Sequence, residues 1–308
     1  MTASLHLSSF LLQTLSLLLM LPSFSFGIYS SDPLLSLDYY KSTCPNVLEI
    51  VRKEVECAVL SDPRNAAFFV RLHFHDCFVQ GCDASVLLED TITLQGEKKS
   101  SNNINSLKGY RLVDRIKNKL ESECPGIVSC ADILTIAARD AIILVGGPYW
   151  DVPLGRKDSK TASYTQADTN LPTADEGLVG IIDKIYGDFE STSNKDPISE
   201  SYLNKLKSVC PITGGDNNVT AMDYVTPNLF DNSFYTILLR GEGLLHSDQE
   251  MYSSLFAIVT KDLVKKYAAD PIAFFEQFSE SMVKLGNIMD PDNFATGEVR
   301  KNCGFINT

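Results

Sequence analysis

Apolar side chains recur every three or four residues over most of the chain, and this period predicts a mainly helical protein. Asn46–Leu60 shows the pattern first, and Pro63 then interrupts it. The same spacing predicts helices over Asn65–Phe78, Leu107–Glu123, Ser129–Gly146, Gly177–Tyr186, Ser199–Val209, Phe230–Leu239, Glu250–Tyr267 and Ile272–Leu285. Tyr149–Thr173 is rich in Ser, Thr, Asp and Pro and is predicted to be an ordered loop.

The N-terminus has the pattern of a secretion signal. Met1–Ser31 contains no Asp, Glu, Lys or Arg, and its apolar run, Phe10–Leu21, is too short to span a bilayer. We expect a signal peptide over residues 1–27, removed near Gly27–Ser31, and one mature domain over residues 28–308. The alternative is a buried core helix, since His6 takes the place of the usual Lys or Arg.

The composition is that of a soluble globular protein. Of 308 residues, 44% are hydrophobic and 21% charged, and the net charge is −12. An acidic surface argues against nucleic acid and anionic membranes as partners and suits small neutral or cationic substrates.

The cysteines are even in number, which in a secreted chain indicates disulfides. Their spacing does not fix the pairing, and the absence of a CxxC or HxxxH pair argues against a zinc site. The eight are Cys44, Cys57, Cys77, Cys82, Cys124, Cys130, Cys210 and Cys303.

Arg71 and His75 are four residues apart on one predicted helix, so their side chains share a face. Cleavage of a peroxide needs a neutral base that moves a proton between the two oxygens. It also needs a fixed cation beside the departing oxygen. His75 and Arg71 are the candidates for these roles, whereas His73 lies off this face and is assigned a structural role.

The segment around this pair, Arg71–Ser85, reads RLHFHDCFVQGCDAS and resembles the distal signature of the plant secretory (class III) haem peroxidases. Val128–Leu134 and Val152–Asp158 resemble two further family segments, and the likeness extends from Tyr39 to Asn307. It implies a mainly α fold with two helical subdomains around a haem cleft and little β structure. It also implies haem b as cofactor, hydrogen peroxide and small phenolic donors as substrates, and a monomer.

The resemblance assigns further roles near the haem. Asn103 matches the residue that hydrogen-bonds the distal histidine and keeps it a competent base. Glu97 matches the carboxylate that links this network to a calcium site. Pro172 matches the residue whose carbonyl contacts aromatic donors.

Calcium is the second expected cofactor. Hard oxygen ligands on one flexible loop suit this ion, and the first set comprises the side chains of Asp76, Asp83 and Ser85, the carbonyls of Val79 and Gly81, and the linked Glu97. The resemblance implies a second set, which is incomplete in this chain: Asp223, Thr226, the carbonyl of Leu229, and Asp231.

The resemblance also implies three disulfides, which are Cys44–Cys124, Cys77–Cys82 and Cys130–Cys303. Cys210 matches a cysteine whose partner lies in a region missing from this chain, and Cys57 has no counterpart. Two cysteines are therefore expected to be left over, and the alternative is that these two pair with each other.

The family's axial haem ligand is a histidine expected between Pro172 and Tyr186, where this chain lacks on the order of thirty residues, enough for two average helices. No histidine occupies that motif, since the chain contains only His6, His73, His75 and His246. Asp248 matches the carboxylate that orients the axial histidine, and His246 is the one conceivable substitute. Both flanks keep the family pattern, which indicates a single excision by exon skipping or a gene-model error.

Three functional interpretations follow. The chain is a secreted peroxidase, a non-catalytic secreted relative that keeps the calcium-bound shell, or a truncated product that folds poorly. Asn218, in an Asn-Val-Thr sequon, is a candidate glycosylation site and fits secretion to the cell wall or the vacuole.

Overall fold

The computed structural model describes residues 35–172, 199–209, 220–255 and 257–308, together with 211, 213 and 218. Within them the α-helices are α1 (Val47–Ser61), α2 (Asn65–Cys77), α3 (Tyr110–Glu123), α4 (Cys130–Leu144), α5 (Tyr164–Thr169), α6 (Glu200–Val209), α7 (Ser233–Leu239), α8 (His246–Ser253), α9 (Ile258–Ala269), α10 (Pro271–Gly286) and α11 (Pro291–Thr296). A 3₁₀ turn covers Ser85–Leu87. β structure in these residues is limited to isolated bridges such as Ser36 with Leu154.

The chain divides into two compact units, one formed by Ser25–Leu171 with Ser279–Thr308 and the other containing Pro172–Phe278. The first unit is built on α4, against which both α1 and α2 pack. Helix α4 is apolar on most of its surface, and Ser129 caps it by accepting a hydrogen bond from the backbone N–H of Asp132 at 3.2 Å. From Ala66 to Cys77, α2 is buried except at two positions, so its polar side chains are enclosed.

Three disulfides lie in this unit, and they are the pairs that the family resemblance implies: Cys44–Cys124, Cys77–Cys82 and Cys130–Cys303. The first and the last close loops across 80 and 173 positions, whereas Cys77–Cys82 spans 5. The last pair ties the C-terminus to the start of α4. Cys57 is a free, exposed cysteine on α1. Cys210 lies outside the described residues.

The second unit has an aromatic core. Phe274 on α10 lies between Phe230 and Tyr235, with ring centroids 5.3 and 5.0 Å away, and Tyr267 and Phe278 complete the cluster. Helices α7 and α9 pack together in this unit. Aromatic side chains bury large apolar areas and dominate the energetics of a core.

The helical periodicity located most helices to within a few residues, but it did not predict α11 (Pro291–Thr296), and three other differences have local causes. The single helix expected over Glu250–Tyr267 is two helices, because the backbone at Ser254 is extended and ends α8. Helix α3 begins at Tyr110 and not at Leu107, because Gly109 takes a left-handed φ of 102°. The loop predicted over Tyr149–Thr173 contains α5.

The helix predicted over Gly177–Tyr186 and the signal segment lie outside the described residues. Among the described helices, none has the length and apolar character needed to cross a bilayer.

Candidate functional site

Arg71 and His75 meet on one face of α2, as their spacing predicts. Both side chains are buried, with 3% and 1% of their surface exposed. The guanidinium Nε of Arg71 donates a hydrogen bond to His75 Nε2 at 3.0 Å. A cation and an imidazole are therefore held together inside the first unit.

Asn103 determines which nitrogen of His75 carries the proton. Its amide Nδ2 donates to the Glu97 carbonyl at 2.9 Å, so its Oδ1 faces His75 Nδ1 at 2.6 Å. Because Oδ1 only accepts, Nδ1 must be the protonated nitrogen. The lone pair then lies on Nε2, which is the nitrogen that faces Arg71.

The surroundings keep His75 neutral. Burial lowers the pKa of His75 well below its usual 6.5, and the nearby charge of Arg71 lowers it further, while the bond to Asn103 acts in the opposite direction. Burial also lowers the pKa of Arg71, to about 10, which leaves the guanidinium charged at neutral pH. The pair thus offers a neutral base beside a permanent cation.

The 102–106 segment binds the guanidinium of Arg71, a role that the sequence did not reveal. Nη1 donates to the Ser106 carbonyl at 2.8 Å, and Nη2 donates to Ser106 Oγ at 3.0 Å and to the Asn102 carbonyl at 3.2 Å. These partners are more than thirty residues from Arg71 in the sequence. Only the fold brings them together.

The first expected calcium loop directly follows α2. Asp76 Oδ2 accepts the backbone N–H of Ala84 at 2.9 Å, and Asp83 Oδ1 accepts that of Ser85 at 2.9 Å. The loop is tight, since a Cβ on Gly81 would lie 3.0 Å from backbone atoms of Ile288 and Asp290. Gly81 also has a φ of 89°, which favours glycine.

The acidic groups of this loop are buried close together. Burial raises the pKa of Asp83 to about 7 and that of Glu97 to about 8. Burial also raises the pKa of Asp76 well above its usual range, with the charge of Asp83 adding to the effect. Among the described residues, Glu97 Oε2 has no hydrogen-bond partner. A divalent cation would favour ionisation of these carboxyls, so the loop fits calcium.

Glu97 is the residue expected to link this loop to His75. Its backbone carbonyl accepts the amide of Asn103, and its carboxylate accepts the N–H of Ser163 at 3.1 Å.

The second expected calcium set is arranged as local turns. Asp223 accepts the hydroxyl of Thr226 at 2.8 Å, and Asp231 accepts the N–H of Ser233 at 2.8 Å. The side chain of Leu229 is 61% exposed. These hydrogen bonds are those of side chains that stabilise a turn and the start of a helix.

The remaining histidines have other surroundings. His73 is fully buried beside Cys77 Sγ, at 3.5 Å from Nδ1, and the sulfurs of Cys77 and Cys82 are bonded to each other and are not free for metal. His246, at the start of α8, has its Nε2 3.1 Å from Glu250 Oε1. Asp248 is buried and accepts the N–H of Leu245 at 3.1 Å, which caps the same helix.

Two further candidates are placed without contacts that define a role. Pro172 is buried. Asn218 is exposed, and its Nδ2 donates to the Val209 carbonyl at 2.6 Å.

Comparisons with a family profile and with individual proteins all match this chain to peroxidases. The peroxidase family profile matches residues 51–187 and 180–270. Peroxidase 11 of Arabidopsis thaliana is 62% identical over 321 positions, covering 94% of this chain and 96% of the relative. Peroxidase 9 of the same plant is 41% identical, covering 93% of each chain, and Peroxidase 4 of Vitis vinifera is 41% identical, covering 90% and 94%.

The alignment with Peroxidase 11 contains gapped positions in this chain. Since 94% of 308 residues is about 290, about 31 of the 321 aligned positions lie opposite gaps. The family profile also matches in two pieces, which overlap at residues 180–187 of this chain.

Proposed function

This chain belongs to the class III peroxidases of plants, a family of oxidoreductases, and we propose that it uses hydrogen peroxide to oxidise small phenolic donors one electron at a time at a haem b. The observation that carries this proposal is the buried arrangement of Arg71, His75 and Asn103. It provides a neutral base with a defined lone pair beside a fixed cation.

These residues suit the distal side of such a haem. A bound haem supplies the electrons that reduce the O–O bond. His75 Nε2 accepts the proton from the attacking peroxide oxygen and returns it to the departing one. Arg71 stabilises the negative charge that develops on the departing oxygen.

Peroxide must compete with Arg71 for His75. The Nε2 lone pair accepts one hydrogen bond, which Arg71 Nε now donates at 3.0 Å. Arg71 Nε must therefore release His75 before the base can act, while Nη1 and Nη2 keep their bonds to the 102–106 segment.

Calcium has a structural role in this proposal. The side chains of Asp76, Asp83 and Ser85, with the carbonyls of Val79 and Gly81, would hold one ion at the end of α2. That ion would brace the helix that carries both catalytic side chains. The second site, at Asp223, Thr226, Leu229 and Asp231, is proposed to be incomplete.

The proximal side does not fit the haem in the same way. We propose that on the order of thirty residues with the axial histidine are missing between Pro172 and Tyr186, enough for two average helices. The total of about 31 gapped positions against Peroxidase 11 and the two-piece family match support this proposal. The sequence contains no histidine between His75 and His246, so no step is assigned to an axial ligand.

The remaining features are consistent with an extracellular enzyme. We propose that residues 1–27 are a signal peptide, that the mature domain begins at residue 28, and that the protein is a monomer of the cell wall or vacuole. Glycosylation at Asn218 and contact of Pro172 with aromatic donors belong to the same proposal.

The test is to express the chain in a secretory host and titrate it with haem. Saturable development of a Soret band and peroxide-dependent oxidation of guaiacol are expected. Free haem at the same concentration is the background control. Calcium binding without any Soret band would instead favour the non-catalytic relative. Sequencing the transcript across Pro172–Tyr186 shows separately whether the gap is real.

A further inference from the structure

The orientation of Arg71 is set by a second layer of contacts beyond α2. All three guanidinium nitrogens donate hydrogen bonds, and two of them bind the 102–106 segment. Ser106 Oγ also donates to the Asn102 carbonyl at 2.9 Å, which closes the segment into a cradle for the guanidinium. A shift of this segment would move Arg71 directly, and through Asn103 it would also reach His75.

The segment is fixed in turn by the short helix α5. Asp168 Oδ1 accepts both the backbone N–H of Ser101, at 2.6 Å, and its hydroxyl, at 2.8 Å. Next to it, Asn102 Nδ2 donates to the Ala167 carbonyl at 3.0 Å. Hydrogen bonds to a carboxylate are stronger than neutral ones, so Asp168 is the stronger of these two attachments.

Helix α5 is itself well anchored. Ser163 caps it by accepting the N–H of Gln166 at 3.3 Å, and the N–H of Ser163 donates to Glu97 Oε1 at 3.1 Å. Ala167 is fully buried. The helix can therefore act as a fixed support for the cradle.

We propose that Asp168 is a positioning residue for Arg71, acting through Ser101 and Asn102. The inference rests on the proposed function, because Arg71 matters to the reaction only if it stabilises the departing peroxide oxygen. Asp168 itself touches neither the base nor the site of peroxide cleavage. Its role is to keep the Asn102 and Ser106 acceptors where the guanidinium needs them.

The test compares Asp168→Ala with Asp168→Asn in the full chain. Alanine removes both bonds to Ser101, whereas asparagine keeps an acceptor oxygen in the same place. Asp62→Ala is the matched control, because Asp62 also accepts a backbone N–H and side-chain bonds, but only from Arg64. The readout is the Nε–H signal of Arg71 in protein with isotope-labelled arginine, assigned by its loss in Arg71→Lys.

In Asp168→Ala we expect the Arg71 signal to shift and its exchange with solvent to rise roughly three- to ten-fold, the scale of one or two ordinary hydrogen bonds. Asp168→Asn and Asp62→Ala should resemble the wild type. An unchanged signal in Asp168→Ala, or an equal change in Asp62→Ala, would overturn the inference. Should Asp168→Ala fold poorly, Ser101→Ala removes only the hydroxyl bond and is expected to give a smaller change of the same kind.

A second readout separates this inference from the proposed function. The rate of peroxide consumption by haem-loaded protein should fall in Asp168→Ala and recover in Asp168→Asn. A shifted Arg71 signal with an unchanged rate would uphold the positioning role and overturn the catalytic role of Arg71. An unshifted signal would overturn the positioning role whatever the rate.

Discussion

Arg71 Nε and His75 Nε2 are joined by a 3.0 Å hydrogen bond within a single helix. The bond places the guanidinium beside Nε2, the one nitrogen of His75 that carries a lone pair. The arrangement holds the base neutral and oriented, and it is the feature on which the predictions below depend.

Asn103→Ala should remove the hydrogen bond that fixes the tautomer of His75. Without Oδ1 at 2.6 Å from Nδ1, the proton can occupy either ring nitrogen. We expect the imidazole nitrogen resonances of the haem-free protein to show a mixture of tautomers, and the peroxide reaction to slow by roughly ten-fold or more. Asn118→Ala, at an exposed position on α3, is the control and should change neither.

Calcium removal should destabilise the first unit. An ion at 100 times its dissociation constant contributes about 2.7 kcal/mol, so chelation is expected to lower the melting temperature by several degrees. Asp76→Asn should remove most of this difference, because it weakens the site itself. Equal melting temperatures with and without calcium in the wild type would argue against the proposed ligand set.

His73 should make stability depend on pH. Burial, with the charge of Arg156 adding to it, lowers the pKa of His73 from 6.5 to about 3. Below pH 6.5 the unfolded chain therefore binds a proton that the folded chain excludes. Stability is predicted to fall as pH decreases, by up to about 1.4 kcal/mol per unit.

The contribution of His73 to this pH dependence is obtained by comparing the wild type with a variant that lacks the histidine. The ring lies near Arg156 and the Cys77–Cys82 disulfide. The carboxyls of the calcium loop have raised pKa values, so their titration changes stability with pH in the opposite direction. Urea unfolding between pH 6.5 and 5 should show a smaller slope in His73→Leu than in the wild type. An equal slope in His73→Leu and in the wild type would contradict this contribution.

The Cys130–Cys303 disulfide should contribute substantially to stability, because it closes a loop across 173 positions. Replacing both residues by alanine is expected to cost about 2–5 kcal/mol in the free energy of unfolding. Cys57→Ala, on an exposed cysteine, is the comparison and should have little effect. A double variant as stable as the wild type would show that the bridge contributes nothing.

Local features of the site could be predicted from the sequence. The four-residue spacing places Arg71 and His75 on one face, where the structure has them in contact. This follows from the geometry of a single helix turn. Asn103 was assigned through a resemblance and not through spacing.

Features that depend on distant segments could not be predicted. Ser106 is 35 residues from Arg71, and Asp168 is 67 residues from Ser101, so no local period connects them. The break between α8 and α9 was missed because the apolar residues on both sides keep a helical spacing while Ser254 turns the backbone. Tertiary contacts decide such positions.

The most direct test of the account is peroxide-dependent phenol oxidation by the haem-loaded wild type and by His75→Ala. Loss of a positioned base is predicted to slow the reaction by about 10²–10⁴-fold. The control Asn118→Ala, at an exposed position on α3, should leave the rate unchanged. Equal rates in His75→Ala and the wild type, or no rate above free haem in the wild type, would contradict the proposed function.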